Sequence, residues 1–354
     1  MNELLESKRL AVNIAGWNPM LYLPNLFASL DEQQGVAFSV TVVDNASTDG
    51  AVRWLTDHYP HVGVLRNFRN QGFARAHNQA IALALSRWAD EDLSRCYVLV
   101  TNQDMEFAPD CLRQLVSYMD ENPTIAACGP KLLRVYVRGQ EDGRVESERT
   151  TLIDSTAIVM TKSRRAFDRG AGEEDTGQYD AKTDVFGVSG ACVMLRASAL
   201  IEAKLAGEFF DEDFFAYKED VDLAWRMQRL GMKASFVSQA VAWHYRTAPS
   251  VTGKGLKVMQ TLRLRRRKSP TINFLSTRNH HWLLWKNEEW GNMVIHAPWI
   301  LPYELVKACA SLVSPSAFRG NLAALGGIGK MWRKRTELAT RAKVHGKEMR
   351  RWFV

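Results

Sequence analysis

Residues 38–50 have the sequence FSVTVVDNASTDG, in which an apolar stretch runs directly into a polar turn. The β-branched and aromatic side chains of residues 38–43 predict a buried strand. Residues 44–50 are mainly turn-forming and helix-capping types. The amphipathic residues 52–58 that follow predict a helix. The stretch therefore predicts a strand, a polar turn and a helix in succession.

The alternation of strand and helix continues on both sides of this stretch. Before it, residues 10–14 predict a strand and residues 20–30 a helix. After it come a predicted strand at 62–65, a helix at 73–89 and a strand at 96–100. Strands that alternate with helices at this spacing form a mostly parallel sheet in an α/β fold. Such a sheet binds ligands beyond the carboxyl ends of its strands.

Polar side chains follow two of the predicted strands. The carboxylate of Asp44 can accept a hydrogen bond from a ligand such as a pyrimidine N–H, and the alternative is an ordinary turn or helix cap. Asn102 and Asp104 offer the oxygen ligands that Mg²⁺ or Mn²⁺ needs when it also holds phosphates. A turn is again the alternative at this second cluster.

Carboxylates are dense in one later segment, beside four phenylalanines. The six carboxylates are those of Asp211, Glu212, Asp213, Glu219, Asp220 and Asp222. Apolar surroundings raise the pKa of a carboxyl group and suit a general base. The alternative is that the last three only complement the dipole of the helix that they open, worth about 0.3–1 kcal/mol each.

Two further features have a functional and a structural interpretation. Residues 69–78, RNQGFARAHN, place a glycine, two arginines and amides at a helix start, which suits a diphosphate cradle or a solvated helix cap. His244 follows the strand-like residues 240–243 and is either a metal ligand or a structural histidine.

The sequence pattern is less regular in the second half of residues 1–251. Residues 137–183 are polar and dotted with glycines, which predicts a long surface loop, with closure over a bound ligand as the alternative. A strand-like segment at 185–195 follows, then a helix at 197–203 and a further helix that ends near Gly231.

Charge divides the chain into two parts. The 354 residues carry a net charge of +7 and are 46% hydrophobic, which is typical of a globular protein. Residues 252–354 contain 20 basic and 5 acidic residues, a net +15, which leaves −8 for residues 1–251. We therefore predict two domains with different partners, divided between residues 251 and 252.

Cysteines and hydropathy bear on the compartment. The five cysteines include no CxxC pair, which argues against a disulfide framework and a zinc knuckle and favours a reduced, cytoplasmic protein. We expect neither a secretory signal nor a spanning helix, because residues 1–10 lack an apolar core and no run of 18 apolar residues occurs.

The basic C-terminal part combines arginine, lysine and tryptophan. Residues 262–268 are LRLRRRK, and six of the eleven tryptophans follow residue 281. This composition predicts docking on an anionic membrane surface, at the inner face of the cell membrane. A helical hairpin or oligomer face is the first alternative; nucleic acid, the second, is not expected as a partner.

Five segments in this order resemble the family-2 inverting glycosyltransferases of the GT-A fold, especially the bacterial rhamnosyltransferase-like members. The resemblance covers residues 8–290, and the segments are residues 42–50, 69–74, 102–104, 189–192 and 211–223. The resemblance implies transfer of a sugar from a pyrimidine nucleotide-diphosphate donor, by direct displacement of the nucleoside diphosphate. One possible donor is dTDP-rhamnose. The implied acceptor is a cell-envelope glycan or lipid-linked precursor, and the implied cofactor is Mg²⁺ or Mn²⁺.

The resemblance also implies roles for individual residues. Asp220 matches the family's general base, Asp104 the main metal ligand, and His244 a histidine that completes the metal or diphosphate site. Asp44 is expected to recognise uracil or thymine. The residues implied to bind the nucleotide-sugar are Asp44, Asn45, Arg69, Asn70, Gly72, Phe73, Asn78, Asn102, Gln103, Gly190 and Glu219.

The chain departs from the family pattern at three positions. Asn102 stands where the family's DxD-type motif has an aspartate. Lys218 and Ala80 each stand where the family often has a glycine. Because Asn102 is a neutral ligand, the strength and identity of the metal stay open. A sugar nucleotidyltransferase is a second hypothesis, but residues 15–18, AGWN, lack the expected basic phosphate loop. The carboxylates argue against a third, a non-catalytic membrane or nucleic-acid binding module.

Overall fold

The computed structural model describes residues 8–141, 144–245 and 269–354. The basic sequence at 262–268, on which part of the membrane prediction depends, lies outside the described residues. Strands and helices alternate in the first part of the chain, and helices follow one another after Ser269. The predicted fold class is confirmed: a mostly parallel sheet flanked by helices, with a mainly helical C-terminal region.

The strands match the predicted strands closely in the first hundred residues. In the described residues they are β1 (Leu10–Gly16), β2 (Phe38–Asp44), β3 (Gly63–Arg66), β4 (Tyr97–Asn102), β5 (Met105–Phe107), β6 (Ile125–Glu141), β7 (Arg144–Ser155), β8 (Ile158–Met160), β9 (Ala166–Asp168), β10 (Asp184–Val185), β11 (Cys192–Arg196) and β12 (Lys233–His244).

The helices cover both faces of the sheet and form the C-terminal region. They are α1 (Leu23–Asp31), α2 (Ala51–His58), α3 (Gly72–Arg87), α4 (Cys111–Glu121), α5 (Ala197–Ala203), α6 (Glu219–Arg229), α7 (Pro270–Asn287), α8 (Trp290–Ile295), α9 (Ala297–Leu312), α10 (Pro315–Gly326), α11 (Ile328–Arg341) and α12 (Gly346–Arg350). Short 3₁₀ turns lie at Leu93–Arg95 and Glu212–Phe214.

The main sheet has the strand order β10-β12-β6-β11-β4-β1-β2-β3. β3, β2, β1 and β4 pair in parallel, and β11 runs antiparallel between β4 and β6. The register aligns Gly16 with Asp44 and Ala15 with Asn102. The carboxyl ends of these strands therefore bring Asp44 and Asn102 to one edge of the sheet, as predicted.

The prediction of a surface loop at residues 137–183 is wrong for residues 137–168, whereas residues 169–183 form neither a strand nor a helix. β6 and β7 form an antiparallel hairpin, and β8 pairs with β9 in a second sheet. Val135, Val145 and Ile153 of the hairpin are buried, although charged residues surround them in the sequence. The polar composition reflects the exposed face of these strands, because side chains along a strand alternate between its two faces.

The predicted strand at residues 185–195 is interrupted. β10 ends at Val185 and β11 begins at Cys192, and the residues between them connect the two strands. A Cβ atom on Gly187 would lie 2.3 Å from the Cβ of Ala224, so this connection packs tightly against α6. The packing brings Gly190 to the start of α6. The predicted helices that correspond to α5 and α6 are confirmed.

The C-terminal helices pack around α7. A Cβ atom on Gly320 of α10 would lie 2.7 Å from the carbonyl oxygen of Phe274, so these two helices are in close contact. The backbone N–H of Val354 donates to the carbonyl of Met160, which ties the chain end to β8. Among the described helices, none combines the length and hydropathy needed to cross a bilayer.

Candidate active site

Asp44 makes the turn contact that was one of the two roles considered for it from the sequence. Its side chain is 3% exposed at the end of β2. Its Oδ1 accepts a hydrogen bond of 3.0 Å from the N–H of Ser47, which is the predicted turn contact. Its Oδ2 is buried and has no hydrogen-bond partner among the described residues. The second oxygen is therefore available to a ligand that brings an N–H donor.

Asn45, the next residue, uses its side chain to hold the loop before α3. Its Oδ1 accepts from the side-chain amide of Asn67 at 3.0 Å and from the N–H of Gln71 at 3.3 Å. Its Nδ2 donates to the carbonyl of Gly72 at 3.3 Å. The structure therefore gives Asn45 loop contacts rather than a free group for a nucleotide-sugar.

Residues 69–78, which include the first two turns of α3, pack against residues 209–217. Gly72 has φ +80°, and a Cβ atom there would lie 2.3 Å from the carbonyl oxygen of Phe215. Asn78 exchanges hydrogen bonds of 2.8 Å with the backbone N–H and C=O of Phe210. Asn70 accepts from the N–H of Gly72 at 2.8 Å. These side chains assemble the two loops, so they contribute to the site through its shape.

Three predicted residues of this region have other surroundings. Phe73 lies against His77, with ring centroids 4.3 Å apart, and also faces Gly190. Arg69 is exposed, as a solvent-facing diphosphate ligand would be. Arg75 forms an ion pair of 3.6 Å with Glu212.

In the segment 102–104, Gln103 holds a neighbouring turn, whereas Asn102 and Asp104 face His244. The side chain of Gln103 accepts a 2.8 Å hydrogen bond from the N–H of Trp17, which fixes the turn after β1. Asn102 Nδ2 lies 3.4 Å from His244 Nε2. Asp104 Oδ1 is also 3.4 Å from that nitrogen. The structure therefore brings Asn102, Asp104 and His244 together, although His244 is distant in sequence.

Asp154 completes this cluster and was not predicted. Its Oδ2 lies 2.9 Å from Nδ1 of His244, so the other imidazole nitrogen, Nε2, faces Asp104. This is the arrangement in which a second carboxylate orients a histidine ligand. Asp154 was missed because it lies in the region mistaken for a loop. No group of three or more His, Cys, Asp or Glu in the described part of the chain could hold a metal ion by itself.

The electrostatics of His244 favour a positive charge at this edge. Burial alone would lower the pKa of His244, but the charges and hydrogen bonds of Asp104 and Asp154 outweigh it and raise that pKa to about 10. A divalent cation at Nε2 would have to displace the proton of that nitrogen, and the same carboxylates would then stabilise the cation. The donor set of a carboxylate and an oriented imidazole fits a divalent ion whose remaining ligands come from a diphosphate.

Asp220 lies in the first turn of α6 and is held by backbone donors. Its Oδ2 accepts from the N–H of Gly190 at 3.0 Å, and its Oδ1 accepts from Val221 at 2.7 Å. Burial raises the pKa of Asp220, and these two hydrogen bonds oppose the rise. The two segments approach closely here, because a Cβ atom on Gly190 would lie 3.0 Å from the Cβ of Asp220. The result is a fixed carboxylate with an increased affinity for a proton.

Glu219 lies beside Asp220 in a more apolar setting. Its side chain is buried, and its Oε2 has no hydrogen-bond partner among the described residues. Burial, with the nearby charge of Asp220, raises the pKa of Glu219 to about 8. At neutral pH this residue is mainly protonated, so it can donate a hydrogen bond to a ligand hydroxyl.

The other carboxylates of the acidic segment are paired with lysines of the C-terminal helices. Lys286 Nζ lies 2.7 Å from Asp211 and 2.7 Å from Asp222. Lys334 Nζ lies 2.6 Å from Asp211 and 3.0 Å from Asp213. Both lysines belong to the basic region assigned to membrane docking from its composition. These two therefore act inside the protein, where they neutralise the segment that carries Asp220.

The architecture has a counterpart among solved structures. The chain aligns with the crystal structure of GalNAc-T7 with UDP, GalNAc and Mn²⁺, with a TM-score of 0.51 and 14% identity. The alignment covers 77% of this chain and 50% of that one. At this identity the likeness concerns the fold, which is the GT-A fold of glycosyltransferases.

The sequence matches a family model as well. The model described as "Glycosyl transferase family 2" matches residues 17–203, more than half of the chain. The chain belongs to this family. Membership places it among glycosyltransferases rather than sugar nucleotidyltransferases.

Two curated relatives are similar over part of their length. The N-acetylglucosaminyl-diphospho-decaprenol L-rhamnosyltransferase of Mycobacterium tuberculosis is 28% identical over 243 residues, which is 65% of this chain and 74% of that protein. An uncharacterized glycosyltransferase of Haemophilus influenzae is 27% identical over 116 residues, 33% of this chain and 36% of that one.

Proposed function

We propose that this chain is an inverting, metal-assisted hexosyltransferase that uses a pyrimidine nucleotide-diphosphate sugar. The acceptor is a lipid-linked or cell-envelope glycan. The donor we favour is dTDP-rhamnose, because the mycobacterial relative is named as an L-rhamnosyltransferase.

One observation carries this proposal. Gly190 donates its N–H to Asp220, and the next residue, Ala191, accepts a 2.9 Å hydrogen bond from the N–H of Asn102. Two adjacent residues therefore connect the candidate base to the strand end that bears Asn102 and Asp104. This connection supports a single centre in which the base and the diphosphate site face the same donor.

The chemistry is a direct displacement. The acceptor hydroxyl oxygen forms a bond to the anomeric carbon, and the bond from that carbon to the diphosphate oxygen breaks on the opposite face. Asp220 takes the hydroxyl proton, a contribution of typically about 10²- to 10⁴-fold. The configuration at the anomeric carbon is inverted.

The departing diphosphate needs positive charge. Asp104 and His244, with the amide oxygen of Asn102, would hold the Mg²⁺ or Mn²⁺, and the ion would neutralise charge on the leaving group when bound. Arg69 is exposed at the neighbouring loop and is proposed as a second source of positive charge.

Replacing Asp154 with asparagine tests the orientation of His244. We expect Asp154→Asn to raise the Mn²⁺ concentration for half-maximal transfer by about 10- to 100-fold, because a weaker acceptor no longer fixes the imidazole. A Mn²⁺ titration of transfer measures this. Asp175→Asn removes a carboxylate paired with Lys131 and is the matched control. Equal Mn²⁺ requirements in both variants would contradict the assignment.

Replacing Asp44 with asparagine tests recognition of the base. The variant keeps the turn oxygen but presents an N–H₂ group in place of the free carboxylate oxygen, so a pyrimidine N–H would lose a charged acceptor. We expect uridine and thymidine diphosphates to bind about 10- to 100-fold more weakly. Calorimetry measures the affinity, with Asp57→Asn on the exposed face of α2 as the control. Unchanged affinity would remove Asp44 from the nucleotide site.

The donor class can be tested without knowing the acceptor. A thermal-shift panel of UDP-, dTDP- and GDP-sugars, with and without Mn²⁺, reports binding as an increase in melting temperature. The proposal predicts the largest increases for pyrimidine donors in the presence of Mn²⁺. A preference for GDP-sugars, or no response to any donor, would contradict it.

The proposal extends to location and organisation. The relative's name includes a decaprenol, a lipid, and we infer a lipid-linked acceptor at the cytoplasmic face of the cell membrane. Residues 1–251 are proposed as the catalytic domain, and residues 252–354 as a region that docks on an anionic membrane surface. Nucleic acid is not a proposed partner.

A further inference from the structure

Helix α9 presents leucines to the outside of the molecule. Leu301, Leu305 and Leu312 are 63%, 65% and 73% exposed. Their spacing of four and seven residues places them on one side of the helix. An outward stripe of leucine is the reverse of the pattern expected for a surface helix in water.

The polar side chains of α9 point inward instead. Glu304 lies 2.6 Å from Nε2 of His280, which is buried on α7, and Lys307 pairs with Glu304 at 3.1 Å. These contacts fix the rotation of the helix, because turning the leucines inward would break the hydrogen bond between Glu304 and the buried His280. The packing of α9 on α7 therefore keeps these leucines on the exposed side of α9.

The next helix, α10, repeats this orientation. Ala317, Gly320 and Ala324 are buried, and Gly320 is in close contact with α7. The opposite side exposes Phe318, Leu322 and Leu325 at 43%, 55% and 58%. We call the exposed side chains of the two helices the apolar face: Leu301, Leu305, Leu312, Phe318, Leu322 and Leu325.

Charge and aromatic residues accompany the apolar face. From Trp290 to Thr336, Glu304 is the only acidic residue in the sequence, and it is already paired. Arg319, Lys330 and Arg333 are exposed in the same part of the chain. Exposed tryptophans occur there too, at Trp299 and Trp332. Leucine with tryptophan and exposed basic residues matches the chemistry of an anionic bilayer surface.

We propose that the apolar face inserts into the boundary between headgroups and acyl chains of an anionic membrane. The inference rests on the proposed function for the purpose of docking, which is access to a lipid-linked acceptor. It adds a specific surface, in which apolar side chains rather than the basic sequence at 262–268 provide the main attachment. Large exposed apolar side chains gathered on neighbouring helices are typical of an interaction site on a protein surface.

The position of the apolar face in the fold supports this purpose. Asn279 of α7 donates to the carbonyls of Phe214, Ala216 and Tyr217, shortly before α6, whose first turn contains Asp220. The next residue along α7, His280, holds α9. The same helix therefore contacts both the segment that carries the base and the membrane-facing helix.

Flotation with vesicles tests this surface in the full-length protein. The variant changes Leu301, Leu305 and Leu312 to serine, and the matched control changes the exposed apolar residues Ile201 and Val137 to serine. With vesicles of phosphatidylcholine and phosphatidylglycerol, we expect the leucine variant to lose binding by about tenfold or more. Wild type and control should float alike, and should continue to do so in about 0.5 M NaCl, where charge attraction is screened.

Two results would overturn the proposal. One is equal flotation of the leucine variant and wild type. The other is a wild-type dimer that the leucine variant dissociates without any vesicle binding, which would make the apolar face an interface between copies. Transfer to a short-chain, water-soluble acceptor should be unchanged in the variant. Absence of transfer by the wild type would contradict the proposed function without bearing on flotation.

Discussion

Asp220→Asn is expected to abolish sugar transfer while leaving donor binding nearly intact. The amide is almost the same size, and its one oxygen can still accept the hydrogen bond from Gly190, while the contact with the N–H of Val221 is lost. With that bond kept, the start of α6 should keep its place. It cannot take a proton from the acceptor hydroxyl, and the expected loss in kcat is about 10²- to 10⁴-fold. The wild-type rate should also fall at low pH, as Asp220, whose pKa is raised by burial, becomes protonated.

The measurement pairs a turnover assay with donor affinity from calorimetry. Asp213→Asn is the matched control, because it removes a carboxylate of the same acidic segment that pairs with Lys330 and Lys334 instead of contacting Gly190. Turnover by Asp220→Asn comparable to that of the control would exclude Asp220 as the base. A parallel loss of donor binding would indicate a folding defect.

Lys286→Met is expected to have the largest effect on stability. Lys286 is buried between Asp211 and Asp222, so the substitution removes the cation that these two buried carboxylates share. Asp211 then keeps Lys334, and Asp222 keeps the more distant Arg226. Breaking a buried ion pair in this way costs about 3–5 kcal/mol in the free energy of unfolding. The segment that carries Asp220 should become less rigid as a result, because Lys286 contacts it at Asp211 and again at Asp222.

Chemical denaturation measures this loss, with Lys330→Met as the matched control. Lys330 pairs with Asp213 but is 59% exposed, so its removal should cost less than about 1 kcal/mol. Burial alone would raise the pKa of Asp211, but Lys286 and Lys334 hold it below its ordinary value. Asp211 therefore stabilises the fold at neutral pH and less at low pH, and the deficit of Lys286→Met should shrink on acidification. Equal stability of the two variants would contradict a structural role for Lys286.

The parallel part of the fold could be predicted because its signals are local. Residues 38–50 contain a strand, a turn and a helix start in thirteen residues, and the neighbouring elements follow the same rule. The β6–β7 hairpin could not be predicted in the same way. Its strands are rich in charged residues on their exposed face, so composition concealed the alternation that buries Val135 and Val145.

The candidate site was predicted where its residues follow strands or begin helices. Asp44, Asp104 and Asp220 are of this kind, and their proposed roles await experiment. Asp154 and Lys286 could not be predicted, because their importance depends on partners far away in the sequence, His244 and the acidic segment. The net charge of the C-terminal region did not reveal the role of Lys286, because buried and exposed lysines count equally in a sum of charges.

The stereochemistry of transfer tests the central claim most directly. Purified protein would be incubated with Mn²⁺, dTDP-rhamnose and a short-chain polyprenyl-diphosphate-linked N-acetylglucosamine, and NMR would identify the anomeric configuration of the first product. A product of opposite configuration to the donor is the predicted result. Retention of the donor configuration would contradict a single displacement with Asp220 as the base.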